Sequence, residues 1–179
     1  MSEPTTPSIT EAPPKAESLA ELVGRLAWTL ANQSPPGDLA ALRRVKPGDP
    51  SCLAFWKLAA AHLEASLPAG GPHRDETENR WGVILSAMAE LAGLHQPRRP
   101  LGRALAEADY AEPRLERLLR ARGEALSDCV RTMAHFLRSK AAGANQSDLA
   151  WLVLSDGRSD EDTVRRRIAR DYYSARPRA

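Results

Sequence analysis

β-Branched residues are scarce in this 179-residue chain, where 6 Val and 3 Ile stand against 30 Ala and 23 Leu. A sheet draws on β-branched and aromatic side chains, and aromatics make up only 5%, so an all-β fold and a doubly wound α/β fold are both excluded. Ala and Leu lose little side-chain entropy in a helix, which leaves an all-α fold. No run of about 18 apolar residues is present to span a bilayer, so no membrane partner is expected. The opening stretch MSEPTTPSITEAPPK lacks the basic flank and apolar core of a secretory signal, which makes the cytoplasm the expected compartment. Cysteine is limited to Cys52 and Cys129. Far apart and on apolar helix faces, they read as buried thiols in a reducing compartment, not as a disulfide framework.

Catalytic signatures are missing as well. The chain has no G-x-S-x-G elbow, no Gly-rich phosphate loop, no H-E-x-x-H and no C-x-x-C. His62, His73, His95 and His135 have no partner at helical spacing that would complete a metal site, and so read as structural or solvated. Asp156, Asp160, Glu161 and Asp162 lack the alternating ligand order of a calcium loop. The expectation is a protein that is not an enzyme and carries neither cofactor nor metal.

Periodicity and punctuation divide the chain into about nine helices. Residues 1–16 hold four Pro and little apolar material, the composition of a flexible tail. Ser18 suits the N-cap of a helix with Leu22, Val23, Leu26 and Leu30 on one face. A short helix over Asp38–Val45 follows, then one opened by Asp49-Pro50-Ser51 with Leu53, Trp56, Ala60 and Leu63 as its apolar stripe. A longer helix over Asp75–Leu94 runs into the Pro- and Arg-rich linker Gln96–Pro100. Beyond it come Leu101–Ala108, Arg114–Arg122 with Pro113 in the first turn, a helix after Gly123, Asp148–Leu154, and a last helix over Asp160–Ser174. Ser159 to Asp162 have the spacing of a capping box at its start. The linker marks the boundary between an N-terminal helical subdomain, 17–95, and a C-terminal basic one, 96–179, giving two small bundles.

Charge separates the two parts. Residues 1–95 carry 8 basic and 11 acidic side chains, residues 96–179 carry 17 and 12, and 21 of the 25 basic residues are Arg. Arg suits bidentate phosphate contacts. At 100° per residue, Arg114, Arg117 and Arg120 step round the side of their helix opposite Leu115 and Leu118. In the last helix Val164, Ile168 and Tyr172 share the core face, which directs Arg165, Arg166 and Arg167 outward with Arg170 and Tyr173 nearby. Arg43-Arg44, Arg98-Arg99 with Arg103 around the linker, and Arg131 with Arg138 are further candidates, and Arg122 joins on geometry. Several Arg stripes with an aromatic beside them suit a polynucleotide backbone.

The blocks Leu42-Arg43-Arg44-Val45, Ala54-Phe55-Trp56-Lys57-Leu58, Leu101-Gly102-Arg103-Ala104-Leu105-Ala106, Arg114-Leu115, Leu118-Leu119-Arg120-Ala121, Val130-Arg131 and Arg165-Arg166-Arg167-Ile168 resemble, in order and spacing, the CasB family. That family is the small subunit of Cascade, the type I-E CRISPR surveillance complex, and the similarity runs from about residue 19 to 174. The resemblance implies a non-enzymatic, two-part helical protein present as a pair beside the other Cascade subunits. It implies contacts to the crRNA, the target DNA and the displaced strand that stabilise the R-loop, base pairing to the guide supplying specificity. By position, that role falls on Arg43, Arg44, Arg103, Arg114, Arg120, Arg131, Arg165 and Arg166, with Arg117, Arg122 and Arg167 added on geometry. The alternative is a helical adaptor whose Arg faces meet acidic protein partners. A helix-turn-helix regulator would need a base-reading helix pair, and none is seen.

Overall fold

The computed structural model describes residues 17–176 apart from Pro47 and Ser51. The expected tail, 1–16, lies outside the described residues. Within them are nine α-helices and no strand beyond isolated bridges: α1 Leu19–Asn32, α2 Pro36–Arg43, α3 Leu53–Leu58, α4 Pro72–Glu90, α5 Leu101–Glu107, α6 Glu112–Arg120, α7 Gly123–Ser139, α8 Gln146–Leu154 and α9 Glu161–Ala175. The all-α expectation holds, and most boundaries fall within a few residues of those read from the sequence.

Local chemistry explains the helix starts. Ser18 accepts from Glu21 N while the Glu21 carboxylate accepts from Ser18 N, a reciprocal capping box. Pro occupies the first turns of α2, α4 and α6, where a missing N–H costs nothing. The Asn145 side chain caps α8 by accepting from Ser147 N at 3.0 Å. At α9 the expected box does not form: Asp160 is the N-cap without a side-chain bond, and Glu161 instead accepts from Gly157 N at 2.7 Å. The reason is register: the N-cap is Asp160, already helical at φ −96° and ψ −2°, so Ser159 and Asp162 do not stand at the two positions a box needs, and Glu161 also meets Arg122 and Arg165.

The apolar stripe expected on α3 is wrong in phase. Leu53 is 78% exposed and Trp56 43%, Ala60 is exposed, and the buried face is Ala54, Phe55, Leu58 and Ala59. A π turn over Ala59–Leu63 then rotates the register so that Leu63 returns to the core.

α4 lies at the centre and packs on α1, α2, α7 and α8, while α8 is buried nearly all round, against α1, α4, α5, α7 and α9. Buried apolar side chains from both sides of the Gln96–Pro100 linker form one continuous cluster. The linker itself is pinned to the α7–α8 loop. Gln96 N donates to Ala144 O at 3.0 Å, Ala144 N to Leu94 O at 3.0 Å, and Asn145 N to Arg99 O at 2.7 Å. His95 Nδ1 accepts from Gln146 N at 3.3 Å, and burial lowers its pKa below the ordinary 6.5.

α5 and α9 approach so closely that only glycine fits between them. A Cβ on Gly102 would sit 2.1 Å from Ile168 O and 2.8 Å from Tyr172 N, both backbone atoms that cannot move aside. Tyr172 locks the same junction by donating its hydroxyl to Tyr110 O.

Two outcomes follow for stability. Gly102→Ala costs about 1–3 kcal/mol and lowers the melting temperature by several degrees. Gly24→Ala, where an added Cβ meets nothing within 4 Å on a helix, stabilises by up to about 1 kcal/mol. Thermal denaturation of both variants checks this pair. Stability also declines as pH falls below about 6.5, because the unfolded chain binds the His95 proton that the folded state resists. His95→Gln flattens that decline in denaturant titrations at successive pH values.

Candidate nucleic-acid interface

The arginines chosen from the sequence divide into those that hold the fold together and those that face solvent unclaimed. Arg165 corrects the sequence reading most directly. Far from reaching outward, it is 5% exposed. Its Nε donates to Leu119 O at 2.9 Å, and its Nη2 donates to Ala121 O at 2.9 Å and to Asp156 Oδ1 at 3.0 Å. Nη1 makes no hydrogen bond but lies 3.5 Å from Glu161 Oε2. The last carbonyls of a helix have no partner within it and carry negative partial charge. The end of α6 and two carboxylates therefore draw the guanidinium inward.

Arg122 serves the same corner. It donates to the carbonyls of Leu119, Arg120 and Ala121 and pairs with Glu161 at 3.0 Å. Arg43, also expected at the interface, is half-buried; its Nε donates to Ala89 O at 3.1 Å beside Glu90, which Arg138 pairs with as well. Arg131 donates to Val45 O at 2.8 Å. These contacts tie α2 to α4 and α7. Arg167 pairs with Asp148 at 3.1 Å, and Asp148 also caps α5 by accepting from Leu101 N at 2.9 Å. Arg103 shares Glu107 with Arg99 while its side chain stays 61% exposed.

Arg44, Arg114, Arg117 and Arg166 are exposed and take no ion pair among the described residues, and Arg170 on α9 is alike. Arg120 has only Glu116, one turn away, with both side chains well exposed. Such a pair contributes little and yields readily to a better anion. Along α6, Arg114, Arg117 and Arg120 cover about 9 Å of helix axis.

α6 is a ridge between two depressions. On its α7 side a groove of about 740 Å³ has all three arginines along one wall, with Tyr110, Cys129, Asp128 and Thr132 completing it. On its α9 side a hollow of about 490 Å³ contains Arg120 and Leu119 together with Tyr173, the exposed aromatic of α9. Tyr173, Arg166 and Arg170 share the outer arc of α9, and the hollow that separates Tyr173 from Arg120 is also lined by Glu112 and Glu116. Tyr173 and the α6 stripe are visible in the sequence. The groove is not, because its far wall comes from a different helix.

Both cysteines are free and half-buried, and burial pushes the Cys129 thiol pKa up, so it remains protonated at neutral pH. Cys52 instead caps α3, its Sγ accepting from Phe55 N at 3.4 Å. Two of the four acids near α9 are spent on backbone and guanidinium partners: Asp156 accepts from Gly123 N at 2.7 Å and meets Arg165, and Glu161 accepts from Gly157 N and meets Arg122. Among the described residues no three His, Cys, Asp or Glu gather as a metal site, and no helix is long and apolar enough to cross a membrane.

A family model for CRISPR-associated protein Cse2 matches residues 38–173, from α2 to within α9. The chain belongs to the Cse2 family. Its fold is that of a solved structure, CasB from Thermobifida fusca, with a TM-score of 0.63 over 87% of this chain and 95% of that one at 20% identity. No curated protein matches the sequence. The resemblance carried by the Arg-containing blocks thus finds its family, the CasB small subunit. α1 precedes the matched span yet belongs to the same core through Leu22, Val23, Leu26 and Leu30.

Removing the Arg165 guanidinium strands two carbonyls at the end of α6 and leaves the partly exposed carboxylates of Asp156 and Glu161 without it. Arg165→Met is expected to destabilise by about 3–5 kcal/mol, whereas Arg166→Ala, one residue on and exposed, stays within about 0.5 kcal/mol. Urea unfolding of the two variants measures the contrast.

Proposed function

We propose that this Cse2-family chain is a non-catalytic subunit of type I-E Cascade that grips nucleic acid by its phosphates and so stabilises the R-loop. The observation that carries this reading is the α6 stripe. Arg114 and Arg117 are exposed and without an anion, and Arg120 has only a solvent-exposed one. Charge left uncompensated on a well-packed helix attracts a polyanion at no cost to the fold.

Arg166 adds an exposed guanidinium on α9. Arg44 and Arg103 offer further exposed guanidiniums on α2 and α5. Arg122, Arg131 and Arg167 contribute only with the donors their internal partners leave over, and Arg43 and Arg165 belong to the frame. Nothing on this surface pairs Asn or Gln with Arg in the manner of a base-reading helix, so phosphates position the strand and the guide supplies specificity.

In this reading the crRNA, the target DNA and its displaced strand are the polyanions that meet the stripe. Protein neighbours have a separate surface. Trp28, Leu53 and Trp56 are large, exposed and on α1 and α3, apolar side chains of the kind that contact other Cascade subunits or a second copy of the chain. In the adaptor reading the arginines themselves would meet acidic protein, and nucleic acid would not bind.

Replacing Arg114, Arg117 and Arg120 together with Gln is expected to leave the melting temperature within a few degrees while weakening single-strand binding. The slope of log K against log salt should fall by about 0.7 for each phosphate no longer neutralised. Anisotropy titrations of a labelled single strand at several salt concentrations test this. An unchanged affinity and slope would remove the stripe from the interface, and a wild-type protein that binds no strand at low salt would favour the adaptor.

A further inference from the structure

The groove between α6 and α7 is more than a row of positive charge. Its α6 wall carries Arg114, Arg117 and Arg120, but its α7 wall carries Asp128, whose side chain pairs with no cation among the described residues. Four charged groups thus line one groove, and the cations facing the acid do not close on it within ion-pair distance. Between the walls the bottom is formed by Tyr110 and the half-buried Cys129, with Ala125 at the edge.

That bottom is held rigidly. Tyr110 is 3% exposed, its ring meets Phe136 edge-on at 5.0 Å, and its carbonyl accepts the Tyr172 hydroxyl. At about 740 Å³ the space has the size of a small-ligand site, with few polar groups among apolar ones.

A bare phosphate or an acidic peptide would satisfy the arginines and leave Asp128 facing like charge. The groove calls instead for a group with an anion at one end and N–H donors at the other, joined by a flat body of low polarity. One nucleotide has all three, since an exocyclic amine such as cytosine N4 donates to a carboxylate.

Resting on the phosphate-contact reading above, we propose that this groove seats a single unstacked nucleotide of a single strand. Its phosphate lies along Arg114, Arg117 and Arg120, its base lies over Tyr110 and Cys129, and the base edge donates to Asp128 with Thr132 beside it. The strand is then held at one fixed point as well as by its charge. Paired DNA, whose bases are stacked and whose edges are engaged, does not enter.

The test compares two probes of equal charge on the full-length protein, a labelled oligo-dC of about 15 nucleotides and an abasic strand of the same length. The oligo-dC should bind about fivefold or more tightly than the abasic strand, with the same salt slope. Ala125→Trp fills the groove from an exposed position without touching a charge, and should bring oligo-dC down to the abasic affinity.

In the wild type, oligo-dC should protect Cys129 from alkylation at alkaline pH more than the abasic strand does, with Cys52 unaffected by either. Equal binding of the two strands with a steep salt slope would overturn the inference and leave the phosphate reading standing. So would a base preference that survives Ala125→Trp, or a Cys129 as reactive with oligo-dC as without it. Failure of both strands to bind, at any salt, would remove the phosphate reading and this inference together.

Discussion

The buried guanidinium of Arg165 is the contact on which the basic half of the molecule turns. It gathers the end of α6, the turn after α8 and the first turn of α9 around one charge. Burying a charge is costly unless it is paired and hydrogen-bonded, and this one fixes three segments at once by meeting that demand. With α6 so anchored at its C-terminal end, Leu115 and Leu118 face the core and the opposite side can only face water. The Arg stripe on α6 is therefore a consequence of how the helix is held. Gly102 and Asp148 do the matching work on the far side of α9, the first by permitting close approach and the second by joining α5 to Arg167.

Arginine does two jobs in this chain, and neighbours decide which. Where a carbonyl or carboxylate lies within reach in a dry setting, as for Arg165, Arg43 and Arg99, the side chain is committed to the fold. Where the nearest acid is exposed or absent, as for Arg114, Arg117 and Arg166, the charge stays available. Surface pairs contribute little, so the paired but exposed Arg120 and Arg103 sit with the second group. Of these available guanidiniums α6 carries Arg114, Arg117 and Arg120, α9 carries Arg166 and Arg170, and α5 carries Arg103.

Much of this is legible from periodicity and punctuation. Ser18, Pro113, Gly123 and the apolar spacing of Val164, Ile168 and Tyr172 place their helices, because caps, breakers and stripes are local signals. The places where sequence and structure differ all depend on something beyond the local window. Trp56 reads as core because i, i+3 spacing fits two phases of a short helix, and the π turn that chooses between them leaves no sequence mark. Arg165 reads as exposed because 100° steps give a direction but not what waits there; the carbonyls of Leu119 and Ala121 arrive from about 45 positions away. The groove needs both α6 and α7, and Asp128 shows no special pattern in its own helix. The family, by contrast, is readable because its blocks run in order within the span, 38–173, that the family model matches.

The most direct test of the division among the arginines is their chemical reactivity. Arginine-selective modification of the full chain by phenylglyoxal, read residue by residue by mass spectrometry with and without a single strand at low salt, reports both burial and strand contact. The account predicts that Arg114, Arg117, Arg120 and Arg166 react in the free protein and are shielded by the strand, while Arg165 and Arg43 react slowly in both conditions. Rapid modification of Arg165, or an α6 stripe as reactive with the strand as without it, would contradict it.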